Sequence, residues 1–273
     1  MLSAVRLAVA WMTVLPMGLR DTPDPRTAGR AMTVLPLVGL LCGLVATGVA
    51  HGMLALGSEP LLAGVAGIAA VLALTRGMHM DALADTADGL GSYAGPERAR
   101  EIMRSGSIGP MGAAVLVMVL LAEVAALGAL AEAGAWVAPV AALVLPRCLP
   151  AVQLRRGVPA SSTTGFGALL AGSQSRAAVL VLGVLATLAG AALAVGGPAA
   201  VDAVGDAAVS GWWAVSGWCA PAVGAAFGLA VYAAAAGFAR HAVRRFGGIG
   251  GDVLGATIEA GTAAALVAAV LLI

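Results

Sequence analysis

Residues 109–131 read GPMGAAVLVMVLLAEVAALGALA, in which Glu123 is the one charged residue. A helix needs about 20 predominantly apolar residues to cross the roughly 30 Å hydrocarbon core of a bilayer. The stretch meets this requirement, and it therefore predicts a membrane-spanning helix.

Six further apolar stretches meet the same requirement. They are residues 31–57, 61–79, 135–153, 177–197, 212–238 and 253–273. Residues 2–19 are also apolar, but Arg6 and Pro16 interrupt them, and we interpret them as an interfacial or re-entrant helix rather than a signal peptide. The predicted fold is all-α: a polytopic helical bundle of about seven transmembrane helices that forms a single membrane-embedded domain over residues 1–273.

The composition excludes a water-soluble globular protein, since 60% of the residues are hydrophobic and 11% are charged, against about 25% charged in ordinary soluble domains. The net charge of +1 gives no broad basic surface, so we expect a lipid bilayer and no nucleic acid as partner. The three cysteines are far apart in apolar sequence and predict neither a disulfide framework nor a cysteine metal site. Such a bundle is compatible with a monomer and with a homo-oligomer.

The arginines are distributed unevenly over the predicted connections. They lie before the first span (Arg6, Arg20, Arg26, Arg30), at the end of the second span or in the loop after it (Arg76, Arg98, Arg100, Arg104), after the fourth (Arg155, Arg156, Arg176) and after the sixth (Arg240, Arg244, Arg245). The remaining connections carry Glu59, Glu132, Asp202 and Asp206 but no arginine. Because positive residues gather on the cytoplasmic side, we expect a multi-pass protein of the bacterial inner membrane. Its N-terminus and its charged loops near 76–108, 154–176 and 239–252 would face the cytoplasm.

The segment HMDALADTADGL, residues 79–90, carries Asp81, Asp85 and Asp88 at positions i, i+4 and i+7. This spacing places three anions on one helix face, where they repel one another unless a cation lies among them. Oxygen ligands favour Mg²⁺ or Mn²⁺; the alternative is a solvated acidic helix end. His79 points to another side of the helix, as a proton acceptor or as a partner of interfacial groups.

Two further segments predict phosphate contacts. Arg104 precedes the small-residue turn SGSIGPMG, residues 105–112, whose backbone N–H groups are free to approach an anion. The segment FGGIGGD contains Gly248 and Gly251 in a glycine-rich loop that suits a phosphate, and Asp252 would serve as a helix cap or as a second metal ligand.

Besides Arg76 near the end of the second span, three charged residues fall within predicted spans. Arg147 lies between Pro146 and Pro150, and a buried guanidinium needs an anion, either phosphate or one of the aspartates. Glu259 is a functional-site hypothesis by its position alone. We interpret Glu123 as bonding to a neighbouring helix.

The blocks HMDALADTADGL (79–90), EIMRSGSIG (101–109) and FGGIGGDVLGA (246–256) resemble the cobalamin synthase family, the adenosylcobinamide-GDP ribazoletransferases. The resemblance extends from the Leu15–Pro16 region to Glu259. It implies a membrane-embedded, Mg²⁺-dependent transferase of late vitamin B12 assembly. In that reaction a ribose hydroxyl of α-ribazole, or of its 5′-phosphate, attacks the cobinamide-linked phosphorus of adenosylcobinamide-GDP and expels GMP.

The resemblance also implies roles for individual residues. The acidic motif falls on Asp81, Asp85 and Asp88 as metal ligands and catalytic groups, the arginine on Arg104, and the late acid on Asp252. We further expect His79 to be catalytic, and Arg147, Gly248 and Gly251 to bind substrate. Departures are Ala82, where the family usually has glycine, and Ser105-Gly106-Ser107, where it has Asp-Ser-Arg.

Two other functions share some of these features. Residues 85–89 match part of the motif of CDP-alcohol phosphotransferases, but the expected Ala-Arg and the later aspartates are absent. A transporter could use the aspartates as an ion site, although such sites lie near the bilayer midplane at broken helices. GMP release, CMP release or neither would separate the three functions.

Overall fold

The computed structural model describes residues 2–18, 23–195 and 207–273, with side chains of the last range described from Cys219 onward. This part of the chain contains helices and no β-strand, which confirms the all-α prediction. The helices are α1 (Leu2–Met12), α2 (Pro25–Thr33), α3 (Leu35–Ala55), α4 (Pro60–Thr75), α5 (Met78–Gly91), α6 (Pro96–Met103), α7 (Pro110–Glu132), α8 (Val137–Val144), α9 (Pro150–Gln153), α10 (Gly165–Leu170), α11 (Arg176–Ala192), α12 (Ala207–Phe246) and α13 (Gly251–Leu272). A 3₁₀ turn, Leu145–Cys148, joins α8 to α9.

Within the described residues, four helices are long and apolar enough to cross a membrane: α3, α7, α12 from Cys219 onward, and α13. The pair α4 and α5 is a fifth if it is counted as one bent span. The predicted spans 135–153 and 177–197 fall on shorter apolar helices, Val137–Gln153 and Arg176–Ala192. The polytopic class is confirmed, whereas the predicted number of seven is not. Residues 196–206, which include Asp202 and Asp206, lie outside the described residues.

The predicted second span, residues 61–79, is wrong at its end. Helix α4 stops at Thr75 because Arg76 and Gly77 both adopt left-handed backbone angles, with φ of 59° and 63°. The chain turns by 89° there and continues as α5, which contains His79. Helix α5 is thereby directed against α13 and α7, its main packing partners.

Close helix packing depends on small residues. A Cβ atom on Gly64 of α4 would overlap the carbonyl oxygen of Val124 on α7, and one on Gly190 of α11 would overlap that of Gly224 on α12. Small residues let helix backbones approach in membranes, where apolar burial adds little driving force between helices.

The three loops that the arginine pattern predicts to share one side lie together. Arg100 Nη1 donates to the carbonyl oxygen of Phe246 at 2.6 Å, and Arg245 Nη1 donates to that of Ala94 at 3.0 Å. The backbone N–H of Ser161 donates to the carbonyl oxygen of Ile249 at 3.1 Å. Residues from 76–108, 154–176 and 239–252 therefore form one polar region.

Helix α1 packs against α2 and α3. It buries Leu7 and Met12 and exposes Leu2. The backbone N–H of Val14 donates to the carbonyl oxygen of Leu74 at 2.8 Å, which ties the segment after α1 to the end of α4. The segment predicted to be interfacial or re-entrant thus packs against α2, α3 and the end of α4. Its position relative to the membrane stays a prediction.

Candidate active site

The three aspartates of α5 have different environments. Asp81 is exposed, Asp85 is half-buried, and Asp88 is 9% exposed. The predicted helix is confirmed, but burial increases along it from the first aspartate to the last.

Asp88 caps α7 from a neighbouring helix. Its carboxylate accepts hydrogen bonds from the backbone N–H of Gly109 at 2.6 Å and from that of Gly112 at 2.8 Å. The first N–H groups of a helix have no partner inside the helix and carry partial positive charge. Asp88 therefore holds the start of α7 against α5.

Glycine is required at both donor positions. A Cβ atom on Gly109 or Gly112 would overlap the Asp88 carboxylate, and one on Gly112 would also overlap the carbonyl oxygen of Ala84. The predicted phosphate contact of the turn 105–112 stays a prediction, because in the structure the amides of Gly109 and Gly112 already bond to Asp88. Sequence reasoning missed this because donor and acceptor are 21 and 24 residues apart.

The remaining carboxylates cluster around Asp85. Burial, together with the negative charges of Asp81, Asp252 and Asp88, raises the pKa of Asp85 to about 6. Such repulsion is relieved when a cation binds. Among the described residues, however, no three His, Cys, Asp or Glu side chains converge closely enough to hold a metal ion. The predicted three-aspartate metal site is therefore not assembled by the protein alone.

Asp252 and Arg104 complete the acidic cluster from other helices. Asp252 lies in the first turn of α13, whose N-cap Gly250 supplies no side-chain hydrogen bond. Arg104 is exposed at the end of α6. The charges of Asp81 and Arg104 both act on the Asp252 carboxyl group, with opposite signs. The predicted phosphate contact of Arg104 stays a prediction.

The glycine-rich loop has two different ends. Gly248 is buried, and a Cβ atom there would overlap the backbone of Ala160 and Ser161. The close approach of the two loops requires glycine at position 248, and a phosphate is not needed to explain it. Gly251 is the first residue of α13 and is only partly buried, with Phe166 as the nearest neighbour of an added Cβ at 3.7 Å.

His79 points away from the acidic cluster, as predicted, into a buried polar group. It is 7% exposed, and its Nδ1 lies 3.9 Å from Oε2 of Glu259. The carboxyl groups of Glu123 and Glu259 are adjacent, and the charge of Arg147 acts on both. The interpretation that Glu123 bonds across helices is supported by its contact with α13.

Arg147 belongs to this buried group. It is 3% exposed, and its Nη1 donates to the carbonyl oxygen of Leu143 at 3.1 Å and to Thr262 Oγ1 at 2.9 Å. Thr262 follows Asp252 by ten residues, about 15 Å along α13. The expected contact with a pyrophosphate among the aspartates is therefore not supported, because the guanidinium donates to α8 and to α13 deeper in the bundle. The predicted proline distortion is confirmed, since Arg147 lies in the 3₁₀ turn.

Sequence reasoning missed a cavity of about 290 Å³ behind Asp252, lined by residues such as Trp11, His79 and Phe166. The two aromatic rings meet edge to face with centroids 5.0 Å apart. They come from α1 and α10, which are more than 150 residues apart, so no local pattern reveals the cavity.

Comparison with known proteins gives a consistent result. The CobS family model, described as cobalamin-5-phosphate synthase, matches residues 4–270. The chain is similar to three proteins named adenosylcobinamide-GDP ribazoletransferase. They come from Corynebacterium efficiens (38% identity; 93% of this chain, 86% of the relative), Frankia casuarinae (35%; 97% and 94%) and Nocardioides sp. (34%; 98% and 98%). No solved structure matches the chain significantly. Because the family model covers nearly every residue, the chain belongs to the cobalamin-5-phosphate synthase family.

Proposed function

We propose that this protein joins adenosylcobinamide-GDP to α-ribazole or its 5′-phosphate and releases GMP. The observation that carries the proposal is that Asp81, Asp85 and Asp252, from two helices, lie near enough to repel one another, with the charge of Arg104 acting on Asp252, next to an apolar cavity. The names of the relatives supply the substrates. The reaction breaks a phosphorus–oxygen bond to GMP and forms one to a ribose hydroxyl.

Arg104 is the side chain suited to the diphosphate. It is exposed, its charge acts on Asp252, and its planar guanidinium can donate two parallel hydrogen bonds to phosphate oxygens. The adjacent N-terminus of α13 offers backbone N–H groups that favour negative charge. These groups orient the phosphorus and stabilise the charge on the departing GMP.

The carboxylates fit Mg²⁺. They offer oxygen ligands that repel one another, and Mg²⁺ is usually bound by one or two carboxylates together with substrate phosphates. This agrees with the lack of a three-residue ligand group in the described chain. We assign Asp81 and Asp85 as ligands, Asp252 as a further candidate, and Asp88 as the residue that positions α5 against α7. When bound, the ion would neutralise charge on the diphosphate.

Asp252 is the candidate acceptor for the hydroxyl proton. It lines the cavity and faces the acidic cluster. His79, on α5, lies beside Gly255 and Glu259, which follow Asp252 by one and two turns of α13. A general base must come within hydrogen-bond reach of the proton it takes. The ribose hydroxyl would meet Asp252 first.

We further propose that this site faces the cytoplasm of the bacterial inner membrane, with the N-terminus inside. The proposal is supported by the arginine asymmetry and by the contacts among the three arginine-rich loops.

Product analysis tests the activity. Purified protein in lipid is supplied with Mg²⁺, adenosylcobinamide-GDP and α-ribazole or its 5′-phosphate. We expect GMP and the joined corrinoid in equal amounts. The Asp85→Asn variant should form neither, while Glu132→Gln, an exposed carboxylate at the far end of α7, should behave as the unaltered protein. Absence of GMP from folded protein with both acceptors would refute the proposal.

A further inference from the structure

The cavity behind Asp252 has apolar walls and a polar mouth. Helices α1, α2, α3, α5 and α13 contribute to the walls, which are formed mainly by Met12, Met32, Leu35, Met78, Leu254 and Ile258. Trp11 and Phe166 add their rings. His79 and Asp252 are the two titratable residues among the lining residues. An occupant must therefore be largely apolar, with polar contacts at two places.

His79 carries an unused hydrogen-bonding atom in this cavity. Its Nε2 is fully buried and has no hydrogen-bond partner in the described part of the chain. A buried polar atom without a partner is unfavourable, and native proteins leave few of them. The 3.9 Å between Nδ1 and Glu259 is longer than a hydrogen bond, so the ring proton is not held at Nδ1 and is free to be at Nε2.

We propose that this cavity binds the benzimidazole base of the ribazole acceptor, and that His79 Nε2 donates a hydrogen bond to the free ring nitrogen of that base. This inference rests on the proposed function. The dimethylated ring lies among the methionines and the two aromatic rings, and the ribose extends past Asp252 toward the acidic cluster.

The size of the cavity excludes the other substrate. Its volume of about 290 Å³ is at the lower end of the roughly 300–1,000 Å³ found for ligand pockets. A two-ring base fits this space, whereas a corrinoid macrocycle does not. The corrinoid must therefore approach from outside the cavity, on the side of Arg104 and Asp81.

The chemistry of the walls excludes guanine. Guanine carries several hydrogen-bond donors and acceptors around its edge. Apolar walls would leave these groups buried without partners, which disfavours binding. A dimethylbenzimidazole joined to ribose has one ring acceptor, and its two methyl groups favour an apolar wall. The single buried nitrogen of His79 matches that single acceptor, and so the cavity distinguishes the acceptor base from the leaving nucleotide.

Direct binding tests the inference without turnover. Binding of α-ribazole to the full protein in lipid nanodiscs is measured by calorimetry and compared with the riboside of 5,6-dimethylindole, in which a C–H group replaces the ring acceptor. We expect α-ribazole to bind about tenfold more tightly, the value of one hydrogen bond. Equal binding of the two compounds to the unaltered protein would overturn the assignment.

Variants locate the contact. His79→Phe should reduce the ratio of the two affinities, α-ribazole over the indole riboside, to about one. His79→Gln, which retains an N–H donor, should keep part of this preference. Thr86→Val is the matched control, because Thr86 Oγ1 is also buried without a partner, two turns further along α5, but lines a different cavity; its preference should stay unchanged. Trp11→Leu should weaken both ligands equally. A preference that survives His79→Phe contradicts the proposal.

Failure of the proposed function can be distinguished from failure of the cavity assignment. If the protein bound α-ribazole with the expected preference but released no GMP, the activity would be wrong and the cavity assignment would stand. If GMP were released while neither riboside bound in a way that depends on Trp11 or His79, the cavity assignment alone would be wrong.

Discussion

The Asp88 carboxylate accepts a 2.6 Å hydrogen bond from the backbone N–H of Gly109 and so joins α5 to the start of α7. We expect Asp88→Asn to lower the stability of the protein by about 1–3 kcal/mol, because the amide NH₂ group cannot accept from a backbone donor. Thermal unfolding in detergent measures the change. Asp81→Asn is the control, since Asp81 is exposed on the same helix; equal melting temperatures for the two variants would contradict the capping role.

The second prediction concerns the metal. Asp81→Asn and Asp85→Asn should each abolish GMP release and leave the melting temperature nearly unchanged, because these carboxylates serve the substrate and not the packing. Chelation of divalent ions should stop the unaltered enzyme, and Mg²⁺ should restore it. Near-normal turnover of both variants at saturating Mg²⁺ would show that Asp81 and Asp85 are not metal ligands.

The buried guanidinium of Arg147 is expected to be structural. Arg147→Met removes the guanidinium that donates to Leu143 and Thr262 and leaves these buried acceptors with one partner fewer, so we expect a loss of about 1–3 kcal/mol. Thr262→Val, which removes one hydrogen bond, should cost about 1 kcal/mol. If Arg147→Met were as stable as the unaltered protein, the substrate-binding role would again be the better explanation.

The contact between loops at Gly248 gives a fourth prediction. Gly248→Ala should displace residues 159–161, since the added Cβ overlaps their backbone, and should both reduce activity and expose the segment 154–176 to proteolysis. Gly237→Ala is the matched control, because nothing lies within 4 Å of an added Cβ at that position of α12. Equal cleavage of the two variants would show that the contact is not needed.

Topology is tested by cysteine labelling in intact cells. Cysteines at positions 59 and 132 should react with an impermeant reagent, and those at 98 and 156 should react only after lysis. The background requires Cys219→Ser, because Cys219 is exposed while Cys42 and Cys148 are buried. The reverse labelling pattern would invert the proposed orientation.

Hydropathy and arginine placement predicted the helical class, and the interrupted helix around Arg147 and the grouping of the charged loops also agree with the structure. Three features required the three-dimensional arrangement. The bend depends on a left-handed Arg76, a residue type that gives no signal of it. The partner of Asp88 is a pair of backbone amides far along the chain, and the cavity is lined by residues of α1, α2, α3, α5, α9, α10 and α13. These last two features join segments that are distant in sequence, whereas the bend is a local backbone conformation.

The break at Arg76 also limits the length of α4. Helix α4 has 16 residues and is about 24 Å long, shorter than the roughly 30 Å core of a typical bilayer. A helix that is too short is accommodated by local thinning of the membrane or by flanking side chains that reach for water. Acyl-chain length should therefore control how deeply α5 and its aspartates lie below the headgroups, and hence how easily a charged nucleotide reaches them. We therefore expect lipid composition to affect turnover, with thin bilayers favoured over thick ones.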